Sequence, residues 1–311
     1  MISPSLSKGP DKNNPFDLNN TEAYRAWRDQ KLAGYPTSIE ELFIEIKDPR
    51  SLSETEYQAI IRSCGKTNMV LYSSETVGDA DKNIPLKLAK QLGLNHLDRN
   101  WLADEEGVTS LTVRPSGERS HYIPYTNRPI HWHTDGYYNS AQRQIHGLLL
   151  HCVSSAAQGG DNALLDHEIA YILIRDENPD YIRALMADDA MTIPARINET
   201  GAARPDEPGP VFSNHPTSGD LHMRYTARTR SIVWKDDALT LEAVVFLSQL
   251  LDSDSGYIFR GRLEPGMGLI SNNVLHDRTG FENDAVHERL LYRARFHDRI
   301  RDTGIQRVYQ D

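Results

Sequence analysis

A length of 311 residues permits one large domain or two small ones, and 39% hydrophobic content is enough for a sizeable core. A net charge of -10 argues against nucleic acid or an anionic membrane as partner, since both call for basic surfaces. Two cysteines, Cys64 and Cys152, both in apolar surroundings, supply neither a disulfide framework nor a metal-binding pair, which suits a reducing compartment.

Met1 to Asn14 is polar, with Pro and Gly and no apolar core of signal-peptide length. Residues 1–18 are therefore expected to form a flexible tail, 19–311 a single catalytic domain, and the location is expected to be cytoplasmic. No apolar stretch approaches the ~20 residues that span a bilayer. Asn19 with Glu22 three residues on marks a helix start and Gly34 a stop, for a helix over Thr21 to Ala33. Ser53 with Glu56 opens a second helix, and Gly65 is its expected end. Leu42 to Ile46 and Met69 to Tyr72 carry strand patterns, and Asn83 to Leu92 a helical one. The triplet His96-Leu97-Asp98 that follows is expected to be a solvated loop pair. Helical patterns return at His167 to Arg175, Asp180 to Ala187 and Leu239 to Leu251. Gly201 to Ser218, rich in Pro and Gly, is expected to be a loop long enough to act as a lid near 195–220.

Between these elements lies a second triplet of the same form, His133-Thr134-Asp135. Side chains two apart on a strand share a face, so one short strand can present both to one metal. Its setting, Pro129-Ile130-His131-Trp132-His133-Thr134-Asp135-Gly136, is an apolar and aromatic stretch ending in glycine, as where a strand opens into a site-forming loop. His276 lies 143 residues further on, and Arg289 thirteen beyond that. Two imidazoles and one carboxylate on one face of Fe(II) leave three positions open for oxygen chemistry on a second ligand. His151, inside Leu148-Leu149-Leu150-His151-Cys152, is by contrast expected to be a core histidine.

Gly268-Leu269-Ile270 leads to His276, a polar turn at Arg278-Thr279-Gly280, and then Glu288 to Phe296, a pattern expected of a hairpin. On the return strand, period two puts Arg289, Leu291, Arg293 and Arg295 on one face and Leu290, Tyr292, Ala294 and Phe296 on the other. Arginines facing into a barrel are costly unless paired, so an inward cationic face implies bound carboxylates, sulfonates or phosphonates.

Several motifs in order resemble the taurine dioxygenase (TauD/TfdA) superfamily of Fe(II)- and 2-oxoglutarate-dependent oxygenases, closest in pattern to gamma-butyrobetaine hydroxylase. They are Tyr125-Thr126 before the His-Thr-Asp triplet, Leu149 to Val153 followed by Gly159-Gly160-Asp161-Asn162, and Asn273 to Thr279 with Arg289 beyond. The resemblance covers about residues 105 to 300. It implies a mainly β (α+β) fold with flanking helices, a double-stranded β-helix or jelly roll. It further implies iron ligands His133, Asp135 and His276, with Arg289 on the distal carboxylate of 2-oxoglutarate. Asn162 stands where the family has Thr or Ser touching the same cosubstrate. The implied reaction consumes O2, hydroxylates an unactivated carbon of a small substrate and releases succinate and CO2. Because Asp135 is present rather than Ala or Gly, the halide-binding variant of this chemistry is disfavoured.

Two features bear on the substrate. Tyr125 matches one aromatic of the trimethylammonium cage in the butyrobetaine enzyme, but the cage's later tyrosine is Arg295 here and its asparagine is Tyr122. Arg293, four residues after Arg289, matches a sulfonate-binding arginine of taurine dioxygenase. An anionic or zwitterionic substrate held by Arg293 with Arg295 is therefore expected, with Tyr137, Trp132 and Tyr138 as candidate pocket walls. Arg224 to Arg230 lies where the family places substrate contacts. A small molecule is the expected partner, and homo-oligomerisation stays open. Two competing readings are a cupin-type metalloenzyme using His131 and His133, and a jelly-roll binding module without catalysis.

Overall fold

The computed structural model describes residues 14–99, 107–117, 120, 122–197 and 203–305. Gly147–Ser154, an almost unbroken apolar run, forms a strand covered on both faces, as such a composition requires. It lies within a six-stranded sheet whose order is Phe43–Ile46, Met69–Ser74, Gly268–Ser271, Gly147–Ser154, Leu290–Phe296 and Thr109–Leu111. A second sheet of four strands runs Phe259–Gly261, Asn162–Leu165, Leu275–Arg278 and Ile130–His133. Leu71, Leu150 and Leu269 from the first sheet and Asn162, Leu164 and His276 from the second line one cavity, so the sheets face each other across it.

The opposite face of the larger sheet is covered by helices. Val70, Tyr72, Leu149, Ile270, Ala294 and Phe296 pack there against Ile60 and Cys64 of helix Glu54–Thr67, and against Leu88 and Ala89 of helix Asn83–Gln91. The strand alternation expected for 289–296 is thus observed from Leu291 to Phe296, while a register shift between Leu290 and Leu291 interrupts it and Arg289 precedes the strand. Leu291, Arg293 and Arg295 stand opposite Cys152, Leu150 and Leu148, and directly opposed residues of an antiparallel pair share a face. Because Leu150 lines the cavity, the cationic side of this strand faces inward.

Several local expectations are corrected. Gly268–Ser271, Leu275–Arg278 and Leu290–Phe296 form no hairpin, because the middle strand belongs to the smaller sheet and the outer two flank Gly147–Ser154. The crossing is made at Asn272-Asn273, where Asn273 takes φ 56°, a left-handed conformation that asparagine tolerates better than most residues. The first helix is Thr21–Leu32, capped by Asn20 rather than Asn19, with the Asn20 side chain accepting from the Ala23 N–H. The Ser53/Glu56 capping box is present in both halves. Its helix continues through Gly65 and ends at Asn68, φ 57°, whose N–H donates to the Cys64 carbonyl.

Of the expected tail, residues 1–13 lie outside the described residues, and 14–18 are held in place. Phe16 is 1% exposed and meets Trp27 and Tyr171 edge-on, at centroid distances of 4.9 and 5.3 Å. The expected lid loop is built of short strands where it is described. Arg196–Ile197 pairs with Ala203–Arg204, Glu207–Gly209 with Met191–Ile193, and Phe212–Asn214 with Leu221–Met223. Val211 and Phe212 anchor it in the core, and residues 198–202 lie outside the described residues.

His151 is fully buried, its Nδ1 2.8 Å from the Tyr72 hydroxyl, and burial pushes its pKa down to about 4. Both cysteines are buried and unpaired. Among the described residues no helix is long and apolar enough to cross a membrane.

Candidate active site

His133 ends the strand Ile130–His133, and its registered partner in the neighbouring strand is His276. Their rings lie 4.2 Å apart between centroids. Asp135 follows two residues on, and the three side chains offer one ligand atom each, all within 4.8 Å of one another. The Nδ1 of His133 lies 3.0 Å from the His131 carbonyl, and that of His276 3.0 Å from the Val274 carbonyl. A carbonyl only accepts, so each Nδ1 carries the proton and each Nε2 keeps its lone pair for a metal. Burial, with the neighbouring His276 imidazole, pushes the His133 pKa down to about 3, which keeps that ring neutral.

Asp135 divides its two oxygens. Oδ1 accepts from Arg293 at 3.1 Å and lies 3.9 Å from Arg295, whereas Oδ2 is buried with no hydrogen-bond partner among the described residues. Burial would raise this carboxyl, but the Arg293 and Arg295 guanidiniums outweigh it and hold it below the usual carboxylate range. A buried, unpartnered carboxylate oxygen beside two imidazole lone pairs fits an N,N,O-ligated divalent cation.

The backbone around Asp135 is held by a residue whose role the sequence did not disclose. The Asn273 side chain accepts from the Asp135 N–H at 2.8 Å and donates to the Asp135 carbonyl at 2.9 Å and to the Ile145 carbonyl at 2.7 Å. Next to it Gly136 has φ 72°, and a Cβ there would sit 2.4 Å from Ile145. Only glycine fits both the conformation and the space. Arg224 fastens the same loop, donating to the carbonyls of Tyr137, Met191 and Glu207 at 2.7 to 2.9 Å, so it is spent on backbone rather than offered to a ligand.

Arg289 precedes the strand Leu290–Phe296 and is 5% exposed. Its guanidinium has no hydrogen-bond acceptor and no carboxylate partner among the described residues. It lies over the Phe281 ring at 5.1 Å, and burial pushes its pKa down to about 10. Gly160 lies beside it with φ 81°, a left-handed conformation that favours glycine. Two residues on, Asn162 donates to the Asp277 carbonyl at 2.6 Å, while its Oδ1 is buried without a partner and its side chain borders the cavity shared with His276. The buried cation and the cavity wall thus adjoin the same bend.

The remaining expected site residues are placed as follows. Arg295, 3% exposed, donates to Asp98 and, at 2.9 Å, to the Tyr138 hydroxyl. Asp98 was expected in solvent, yet its side chain is 1% exposed and also takes Arg143 at 3.1 Å. Its burial follows from Arg295, a partner 197 residues away that local sequence could not reveal. Tyr125 is 1% exposed within the main core, and Tyr137 is half-buried against Tyr138. His131 is exposed and stands outside the His133, Asp135 and His276 cluster, which removes the cupin arrangement.

Two facing sheets carrying a two-histidine, one-carboxylate cluster and a buried unpaired arginine define the class of non-haem iron oxygenases that use a keto diacid. The sequence profile of the Taurine catabolism dioxygenase TauD, TfdA family matches residues 86–295. The chain belongs to that family, and it is a 2-oxoglutarate-dependent dioxygenase working with Fe(II), 2-oxoglutarate and O2. A binding module without catalysis is thereby set aside. It is 27% identical over 277 residues to a uridine-5'-phosphate dioxygenase of Amycolatopsis sp, covering 82% of this chain and 96% of that protein. A uridine-5'-phosphate dioxygenase of Streptomyces sp is 29% identical over 198 residues, 61% of this chain and 69% of that protein. Among solved structures, a taurine dioxygenase from Burkholderia xenovorans superposes with TM-score 0.54 at 16% identity, covering 82% of this chain and 85% of that one. Asparagine oxygenase does so with TM-score 0.55 at 15% identity, covering 92% and 91%. These structures share the fold.

Proposed function

We propose that His133, Asp135 and His276 hold Fe(II), that Arg289 with Asn162 takes the distal carboxylate of 2-oxoglutarate, and that Arg293 takes an anionic group of a small substrate hydroxylated at carbon. The two facing sheets are then the larger and smaller sheets of a double-stranded β-helix. When bound, the iron and cosubstrate supply oxidative decarboxylation coupled to oxidation of a C–H bond, with succinate and CO2 released.

The observation that carries this reading is the division of labour at Asp135, one oxygen on Arg293 and the other buried and unpartnered. It also separates the two inward arginines. Arg295 is balanced by Asp98, a buried carboxylate that no metal claims. Among the described residues Arg293 is balanced only by Asp135, and a divalent cation on Asp135 draws off that charge. Arg293 is then the guanidinium with charge to spare, and its Nε has no partner. An anion on Arg293 restores the pairing a buried cation needs. Arg295 passes from the expected substrate contacts to a structural one.

The same cations disfavour a trimethylammonium substrate, despite the match at Tyr125. The uridine-5'-phosphate dioxygenases act, by their name, on a phosphate-bearing nucleoside, and a phosphate monoester is an anion of the kind Arg293 suits. We therefore place nucleoside 5'-phosphates first among candidate substrates. Succinate release should rise above background when the right anion is added to enzyme, Fe(II), 2-oxoglutarate and air. Arg293→Ala should then raise the apparent KM for that substrate roughly tenfold to a hundredfold, the usual cost of removing one member of a charged hydrogen-bonded pair. An unchanged KM in that variant would remove Arg293 from the substrate site.

A further inference from the structure

Tyr138 is the one aromatic among the large apolar side chains exposed in the described residues, at 37%; the others are valines and a leucine. An exposed tyrosine is ordinarily free to turn, and this one is not. Its hydroxyl accepts from Arg295 Nη1 at 2.9 Å, its ring centroid lies 5.9 Å from the Arg295 guanidinium carbon, and the Tyr137 ring meets it edge-on at 5.2 Å and 82°. The turn beneath is fixed by the Asn139 N–H donating to the Gly136 carbonyl at 2.8 Å and by Asn139 Nδ2 donating to the Arg143 carbonyl at 2.9 Å. The same Arg295 Nη1 that holds the phenol oxygen lies 3.9 Å from Asp135 Oδ1, so one guanidinium links the Tyr138 hydroxyl to the candidate metal centre.

We infer that Tyr138 is a preorganised shelf on which a planar ring of the substrate stacks, locked in place by Arg295, whose charge Asp98 balances. The inference rests on the reading of Arg293 as the anion site. Arg293 and Arg295 are two residues apart on one strand face, about 7 Å at the usual rise, the kind of spacing that separates a ring from an anionic group one sugar away. The Arg295 guanidinium at the phenol end of the ring disfavours a second cation there and leaves stacking of a neutral heterocycle on the ring face as the favoured contact. A shelf ordered before the ligand arrives loses little side-chain entropy on binding. Arg295 and Asp98 act through Tyr138 and are positioning residues; Tyr138 is the contact that sets specificity.

The test uses the enzyme loaded with Fe(II) and 2-oxoglutarate without oxygen, and measures dissociation constants for uridine 5'-phosphate, ribose 5-phosphate and uridine. Tyr138→Ala should weaken uridine 5'-phosphate on the order of tenfold, the scale of one base stacked on one aromatic side chain. It should leave ribose 5-phosphate as it was, and Tyr138→Phe, which keeps the ring but loses the hydroxyl held by Arg295, should weaken uridine 5'-phosphate less than Tyr138→Ala does. Equal weakening of both phosphates, or no weakening of uridine 5'-phosphate, overturns the shelf. If neither phosphate binds the wild-type enzyme but uridine binds and depends on Tyr138, the shelf stands and the anion reading falls. If none of the three binds, both fall.

Discussion

Asp135→Ala is expected to abolish iron-dependent succinate formation, with a loss of at least about a thousandfold, the scale seen when a member of a unit that acts together is removed. The variant should also be less stable than the wild type with no metal present. Asp135 is the partner of a buried arginine, and removing one member of a buried ion pair costs about 3–5 kcal/mol because the other is left uncompensated. His276→Ala should lose activity to the same extent without that penalty, since its ring makes its hydrogen bond to its own chain at Val274. Thermal unfolding of both metal-free variants separates the two effects. Equal stability of the two would mean that Arg293 does not depend on Asp135 in the folded protein.

The second large effect falls on Arg289. Its replacement by alanine should raise the KM for 2-oxoglutarate on the order of a hundredfold, because a carboxylate paired with a buried guanidinium loses about 2–5 kcal/mol when the guanidinium is removed. The sign of the stability change is the more discriminating readout. With its pKa pushed down only to about 10, Arg289 is still a cation at neutral pH, and it is buried with no carboxylate beside it among the described residues. An uncompensated buried charge destabilises the fold. Arg289→Met should therefore melt no lower than the wild type without cosubstrate, and lower than the wild type once 2-oxoglutarate is added, since a ligand that binds only the native state stabilises it. A variant that melts lower under both conditions would assign Arg289 to the scaffold instead.

What the sequence disclosed and what it withheld divide along a physical line. Period-two alternation is a local property of a strand, so the inward row of Arg293 and Arg295 could be read from Glu288 to Phe296 and is found as expected. The Ser53 capping box needs only three residues of context, and it too is present. Which strand pairs with which is not local. Gly268–Ser271 and Leu275–Arg278 look like neighbours in one hairpin, yet they part into different sheets at a left-handed asparagine, and nothing in the apolar pattern marks that crossing. Asp98 is the sharper case. Read alone, His96-Leu97-Asp98 has the composition of a surface loop, and only its long-range pairing with Arg295 makes Asp98 a buried charge. The same guanidinium also donates to the Tyr138 hydroxyl, a second partner that local sequence does not reveal. Asn273 carried a faint signal, since asparagine is among the few residues tolerating positive φ, but the sequence said nothing of the three hydrogen bonds with which it holds Asp135 and Ile145.

The central claim is that two imidazoles and one carboxylate, drawn from two strands and the loop after one of them, converge on a single ferrous ion. Equilibrium dialysis of Fe(II) without oxygen, in the presence of 2-oxoglutarate, tests it most directly. The wild type is expected to retain one tightly held iron per chain, and His133→Ala, Asp135→Ala and His276→Ala none, each checked for folding by circular dichroism. Undiminished iron binding in folded Asp135→Ala and His276→Ala together would place the metal elsewhere and contradict it.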